Sequence, residues 1–300
     1  MGGADEDSMV RESGVTRGQS VVLWATFLVY VAGRVCQQYP DKIPVLAIVA
    51  MQVLTPAIFA LVHGKIRYGV RGMLVFTGFC MGVGGVSESL SLRTGFPFGH
   101  YVFTGLMGPK VLDLPILLVL AYLGIGYCSW VLGRLILGYR DKPLAGMRVV
   151  ALPLLAGLIM TAWDLSMDPI WATLDRAWIW RDGGSFYGVP WSNFAGWYLT
   201  AFVFYLAFAL YCRAYPGQRK VESPGYWRVA ILFYGVCAVG NLLVFRPGLF
   251  PAAAVDAAGR QWVTGDILLA SVLVSLLGMT PMAVVAWVRV GRQEARVVEG

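Results

Sequence analysis

Of 300 residues, 58 % are hydrophobic and only 14 % are charged, with a formal net charge of +7. An average soluble domain is about 45–50 % apolar and about 25 % charged, so a water-soluble fold of this length lacks the polar surface to cover itself. A lipid-solvated surface removes that difficulty, and the composition predicts an all-α, multi-pass helical bundle in the cell membrane, with membrane lipids around it. The basic residues lie between apolar runs and not in one patch, which speaks for membrane orientation and against a nucleic-acid partner.

In chain order, residues 1–19 are polar and carry Asp5, Glu6 and Asp7, so they lack the basic start of a secretory signal. They read as a disordered tail before a single transmembrane domain over 20–290 and a short cytoplasmic tail over 291–300. A span needs roughly 20 apolar residues to cross about 30 Å of hydrocarbon. Eight runs qualify, near 20–38, 43–63, 69–91, 114–137, 147–170, 191–212, 228–245 and 265–289, the seventh being the shortest. Of the 24 lysines and arginines, sixteen fall on the side of the two termini and eight on the other, which predicts cytoplasmic termini.

Two connections on the opposite side are long, aromatic and rich in glycine: the third, about 92–113, and the fifth, about 171–190. Long ordered loops are commonly functional, and these two lie at the same level, where they would roof one pocket.

Ionisable groups inside spans are costly and need a reason. Glu88 lies near the outer end of the third span, in GVGGVSESLSLRTG. Asp164 and Asp168, in TAWDLSMDPIW, are four residues apart and share one helix face. All three approach the level of the aromatic loops. Desolvation favours the neutral, proton-bearing form of a carboxyl group, so such a cluster predicts one group acting as general acid and a neighbour as base. The alternative for each is a structural contact between helices.

His100, in the third loop, would orient a water or a carboxylate. Asn193, in VPWSNFAGW, is a cap or a polar contact in the pocket. His63 and Arg134 read as structural, the latter as a snorkelling side chain, and Asp113 as a helix start. With no HxxxH or HExxH pattern, a histidine-based metal site is not expected. The five cysteines, none in CxxC spacing, read as small buried side chains.

The segments SESLSLRTGFPFGHYVFTGLMGPK and TAWDLSMDPIWATLDRAWIWRDGGSFYGVPWSNFAGW resemble the membrane-embedded carotenoid hydratase family over roughly residues 70–215. The second segment is the more specific, with Trp163-Asp164, Asp168-Pro169, Trp178, Trp180, Gly188-x-Pro190 and Asn193-Phe194-x-Gly196-Trp197. The resemblance implies cofactor-free addition of water to the terminal double bond of a lipophilic, acyclic carotenoid. It carries over Glu88, Asp164, Asp168 and Asn193 as functional positions. Aromatic faces stabilise a carbocation, and Trp163, Trp178, Trp180, Trp197, Tyr101 and Tyr187 are the candidates to bind the substrate end.

Two other classes compete. An intramembrane prenyltransferase needs a second acidic cluster for magnesium and basic groups for a diphosphate, and only one cluster is present. A transporter would use the same acids for ions, but no inverted repeat is evident. A retinal receptor needs a lysine inside a span, and all five lysines lie in loops.

Overall fold

The computed structural model describes residues 14–246, 248 and 250–298. Among the described residues, seven helices are long and apolar enough to cross a membrane, and one of them runs for 50 residues, Val45–Thr94. That run is two spans. Gly69 adopts φ 70°, ψ 178°, a backbone state essentially reserved for glycine, and the chain folds back there. Phe59 and Phe76 both pack on Tyr127, at 6.5 and 5.6 Å. Along a straight helix they would stand roughly 25 Å apart.

The spans are therefore α1 (Arg17–Cys36), α2 (45–68), α3 (70–94), α4 (Ile116–Ile136), α5 (Arg148–Pro169), α6 (Trp191–Ala214), α7 (Pro224–Leu243) and a last one built from α8 (Thr264–Val274) and α9 (Thr280–Val298). Turns of π-helix extend α5 over Ile170–Leu174 and join α8 to α9 over Ser275–Met279. The short seventh run is a full span because Pro224 sits at the helix start behind a Ser223 cap, a position where a missing N–H costs nothing. Thr16 and Gln19 form a capping box, so α1 begins at Arg17, inside the stretch read as tail; residues 1–13 lie outside the described residues. Residues 291–298, in the stretch read as the C-terminal tail, are helical, and Arg228 pairs with Glu294 at 2.7 Å; residues 299–300 lie outside the described ones.

The central helix is α4. Small residues on it let neighbours approach closely, as is usual between membrane helices. A Cβ at Gly124 would meet Pro56 of α2 at 2.7 Å, and one at Gly133 would meet Leu152 of α5 at 3.0 Å. Outer faces stay apolar and exposed, as at Leu28, Leu74 and Val86, which suits lipid contact.

The spans alternate in direction. At one end, here called the roof end, strand β1 (Tyr101–Phe103) of the third connection pairs antiparallel with β4 (Trp178–Trp180) of the fifth. Two hairpins accompany it, β2 (Lys110–Val111) with β3 (Leu114–Pro115), and β5 (Ala253–Val255) with β6 (Gln261–Val263). Asp113 does not start a helix. It occupies, with Leu112, the two positive-φ positions (67° and 51°) of the tight β2–β3 turn, and α4 begins three residues later.

The opposite, basic end is closed by arginines. Arg67 donates to the carbonyls of Arg140 and, at 3.1 Å, Arg219. Arg134 does not snorkel. It is 1 % exposed and donates to the carbonyls of Tyr139 and Lys142 at 2.7 and 3.0 Å, both in the connection that follows α4. His63 is structural, its Nδ1 2.7 Å from the Tyr127 hydroxyl and its Nε2 2.8 Å from the Tyr226 carbonyl.

Candidate active site

Period two governs what β1 and β4 turn inward. Tyr101 faces Trp180 and Phe103 faces Trp178 across the ladder, while Val102 and Ile179 pair on the other side. The four aromatic residues line a chamber of about 320 Å³ together with Glu88, Asp164, Asp168, Asn193 and Trp197. The loop leading to β1 is pinned by Ser91, whose Oγ donates to the Gly99 carbonyl at 2.9 Å, and by Ser192, whose Oγ donates to the Phe98 carbonyl at 2.8 Å. Gly196 lets this loop touch α6, since a Cβ there would lie 2.7 Å from the Pro97 carbonyl oxygen.

Each carboxyl group is fully enclosed and supplied by neutral donors. Glu88 of α3 accepts from the Tyr101 hydroxyl and, at 2.7 Å, from the Tyr122 hydroxyl. Tyr122 belongs to α4 and reaches across because Gly84, one turn before Glu88, leaves room for its ring; a Cβ there would lie 2.9 Å from it. Burial, reinforced by the charge of Glu88, pushes the Tyr101 phenol well above its ordinary value, so this hydroxyl keeps its proton and remains a donor.

Asp164 and Asp168 come from one face of α5, as their spacing requires, and the Asn193 amide in the first turn of α6 spans them. Its Nδ2 donates to Asp164 Oδ2 at 2.9 Å and to Asp168 Oδ2 at 2.6 Å. Asp168 also accepts from Trp178 Nε1 at 2.7 Å. Thus Asp164 has one donor, and Asp168 and Glu88 have two each. Directly after Asp168, Pro169 withholds a backbone N–H and the chain widens into the π turn, a feature often found beside functional groups.

The chamber adjoins a larger cavity. Leu118, Met167 and Trp178 also line a second, mostly apolar cavity of about 860 Å³ between α1, α2, α4, α5 and α7, with Trp163 and Trp171 in its wall. Aromatic faces stand around the junction. Trp197 stacks on Tyr122 at 4.5 Å and meets Trp163 edge-on at 5.8 Å, and Trp171 lies parallel to Trp178 at 6.3 Å.

Of the residues singled out from sequence, Glu88, Asp164, Asp168, Asn193, Tyr101, Trp178, Trp180 and Trp197 share the chamber, and Trp163 lines the cavity leading to it. Two lie elsewhere. His100 precedes β1 on its outward register and pairs with Asp182 at 3.3 Å, with 54 % of its side chain exposed. Tyr187, at φ 52° in a tight turn, packs its ring on Trp262 at 5.5 Å. Tyr122, Phe103 and Trp171 were not foreseen. Tyr122 is one of two hydroxyl-bearing residues in the otherwise apolar run AYLGIGY, the only local signal it offers.

Comparison with known proteins places the chain in a family. A family model described as "Carotenoid biosynthesis protein" matches residues 43–258, which includes every residue of the chamber. The bisanhydrobacterioruberin hydratase of Haloarcula japonica is 33 % identical over 211 residues, covering 70 % of this chain and 67 % of that protein. No solved structure matches. The chain therefore belongs to the carotenoid biosynthesis protein family, and its buried carboxyl groups lie in the part of the sequence that defines the membership.

Proposed function

We propose that this protein adds water to the terminal carbon–carbon double bond of an acyclic carotenoid end group, giving a tertiary alcohol by acid catalysis without a cofactor. The observation that carries the reading is the position of three buried carboxyl groups, held by neutral donors, in an aromatic chamber that shares lining residues with a larger apolar cavity. Such a cavity suits a polyene, and the chamber offers it a proton. The relative named as a hydratase supports the same class.

In this reading Asp164, the acid with the fewest donors, carries the proton. It transfers it to the less substituted alkene carbon. The new C–H bond forms and the more substituted carbon becomes a tertiary cation. Trp178, Trp180 and Trp197 present ring faces to it, an interaction worth roughly 2 kcal/mol when desolvated. Water then forms the C–O bond and gives its proton to Asp168, whose contacts with Asn193 and Trp178 stabilise an anion. A proton passing from Asp168 to Asp164 along the shared amide edge restores the starting state. Glu88, fixed by two tyrosines, sets the charge of the chamber.

The excess of basic residues on the side of the chain ends assigns that side to the cytoplasm, with the chamber near the outer surface of the cell membrane, where water is at hand. The test is expression in a host that makes lycopene or γ-carotene, with mass analysis of the pigments. A product heavier by one water is expected. Unchanged pigment beside well-folded protein overturns the proposal.

A further inference from the structure

The basic end of the bundle carries an open cleft that the hydration scheme does not use. It has a volume of about 830 Å³ and lies between the start of α3, the end of α6 and the connection after α6, with Tyr68, Arg71, Tyr211, Tyr215 and Gln218 in its wall. It shares no lining residue with the acid chamber or the large apolar cavity. Arg71 is exposed, and its guanidinium lies over the Tyr215 ring at 4.8 Å. Among the described residues it makes no hydrogen bond and pairs with no carboxylate.

The surrounding charge has one sign. No acid stands between Asp41 and Glu88 or between Asp182 and Glu222, while those stretches bring Lys65, Arg67, Arg71, Arg213, Arg219 and Lys220 to this end. Asp141, in the connection after α4, is engaged by Arg140 at 2.8 Å and lies 3.9 Å from Arg67. Arg71 therefore keeps its five N–H donors for a ligand. The cleft is also held in shape. Gln218 Nε2 donates to the carbonyls of Cys212 and Tyr215 at 3.1 and 2.9 Å, and the Arg219 N–H donates to the Arg67 carbonyl at 2.8 Å. Tyr211 packs on Tyr215 at 5.0 Å. The Tyr68 hydroxyl accepts from Trp130 Nε1 at 2.9 Å, so its own proton points to another acceptor.

The wall thus offers a cation and hydroxyl donors, with no carboxylate among the described residues that line it. That combination suits phosphate oxygens. A quaternary ammonium group also seeks aromatic rings, but Arg71 already lies over Tyr215 and no acid lines the cleft to pair with such a group. What adjoins the cleft identifies the source of the phosphate. The helices α3 and α6 pack on each other, and about one turn deeper Leu74 and Leu210 are 66 % and 49 % exposed. A phospholipid with its phosphate in the cleft lays its acyl chains on this apolar surface, whereas a soluble phosphate ester leaves it uncovered. We propose that the cleft binds the headgroup phosphate of an anionic phospholipid, with Arg71 as principal ligand and the Tyr68 and Tyr211 hydroxyls as further donors.

The test is native mass spectrometry of the full chain in detergent, equilibrated with phosphatidylglycerol, with phosphatidylcholine of the same acyl chains, and with glycerol phosphate. Phosphatidylglycerol is expected to be held at least about tenfold more tightly than phosphatidylcholine, and Arg71→Gln to bring the two within about twofold. Should Arg71→Gln not fold, Tyr211→Phe is measured instead, with an expected loss of about threefold in phosphatidylglycerol affinity. Glycerol phosphate at the lipid's concentration is expected not to displace it. Equal retention of the two lipids by the unaltered protein overturns the proposal, as does a preference that survives the substitution. Displacement of the lipid by glycerol phosphate assigns the cleft to a soluble phosphate ester and overturns the lipid.

Discussion

The two ends of the bundle bury charge in opposite ways. At the basic end, Arg67 and Arg134 donate to carbonyls of the connections between helices, and His63 bridges Tyr127 and Tyr226. None of these three lines the acid chamber or the large apolar cavity. At the roof end, Glu88, Asp164 and Asp168 are equally buried, but each also borders the chamber. Burial of an ionisable group is thus common to scaffold and site, and open space beside the group separates them. Charge packed away from any cavity closes a fold; charge at the edge of a cavity is available to a ligand.

That contrast breaks if substitutions at the two ends have the same consequences. The largest effect is expected for Asp164→Asn, which keeps the shape but removes the transferable proton: hydration falls by at least about 10³-fold, or about 4 kcal/mol, with membrane yield unchanged. Substantial turnover by this variant removes Asp164 from the chemistry. Next is Arg134→Met at the basic end. Losing a buried cation that satisfies several carbonyls costs about 3 kcal/mol of stability, read as a lower melting midpoint in detergent, while turnover per folded molecule stays unchanged. A catalytic loss without destabilisation would erase the distinction between the ends. Asn193→Ala separates the two aspartates from their common donor and is expected to reduce turnover about 10²-fold, or about 2.7 kcal/mol, with the cavity still binding polyene. Smallest is Tyr122→Phe, which deprives Glu88 of one of its two donors; a roughly tenfold reduction is expected, in line with a single hydrogen bond to a charged group. An effect as large as that of Asp164→Asn would move the proton donor to Glu88.

Much of this contrast was legible in the sequence, and the reasons for the rest are physical. Apolar runs of sufficient length marked all eight spans, because the bilayer imposes its thickness on each one separately. The i, i+4 spacing placed Asp164 beside Asp168, since a helix fixes that geometry locally. The aromatic loops met over the acids as the residues suggested, and the family resemblance drew on the same segments. Relations between distant segments were harder to read. Tyr122 finds Glu88 only because Gly84 thins α3 at the crossing, and Arg34 of α1 finds Asn241 of α7 across more than two hundred residues of chain. Registers set by strand pairing were hidden too: β1 turns Tyr101 and Phe103 inward, which leaves His100 outside with Asp182. Tyr187 followed its turn toward Trp262, a contact with the β5–β6 hairpin that no local pattern announces. Arg134, at a helix end, had the sequence signature of a snorkelling residue; the loop that folds over it supplies the carbonyls that keep it inside.

The most direct measurement is the reaction of the purified protein in nanodiscs with an acyclic carotenoid in deuterated water, without added cofactor. The account predicts a tertiary alcohol carrying one non-exchangeable deuterium on the carbon next to the alcohol carbon, formed by the unaltered protein and not by Asp164→Asn. An alcohol without that deuterium, or the same labelled product from the Asp164→Asn variant, would contradict proton delivery from this chamber.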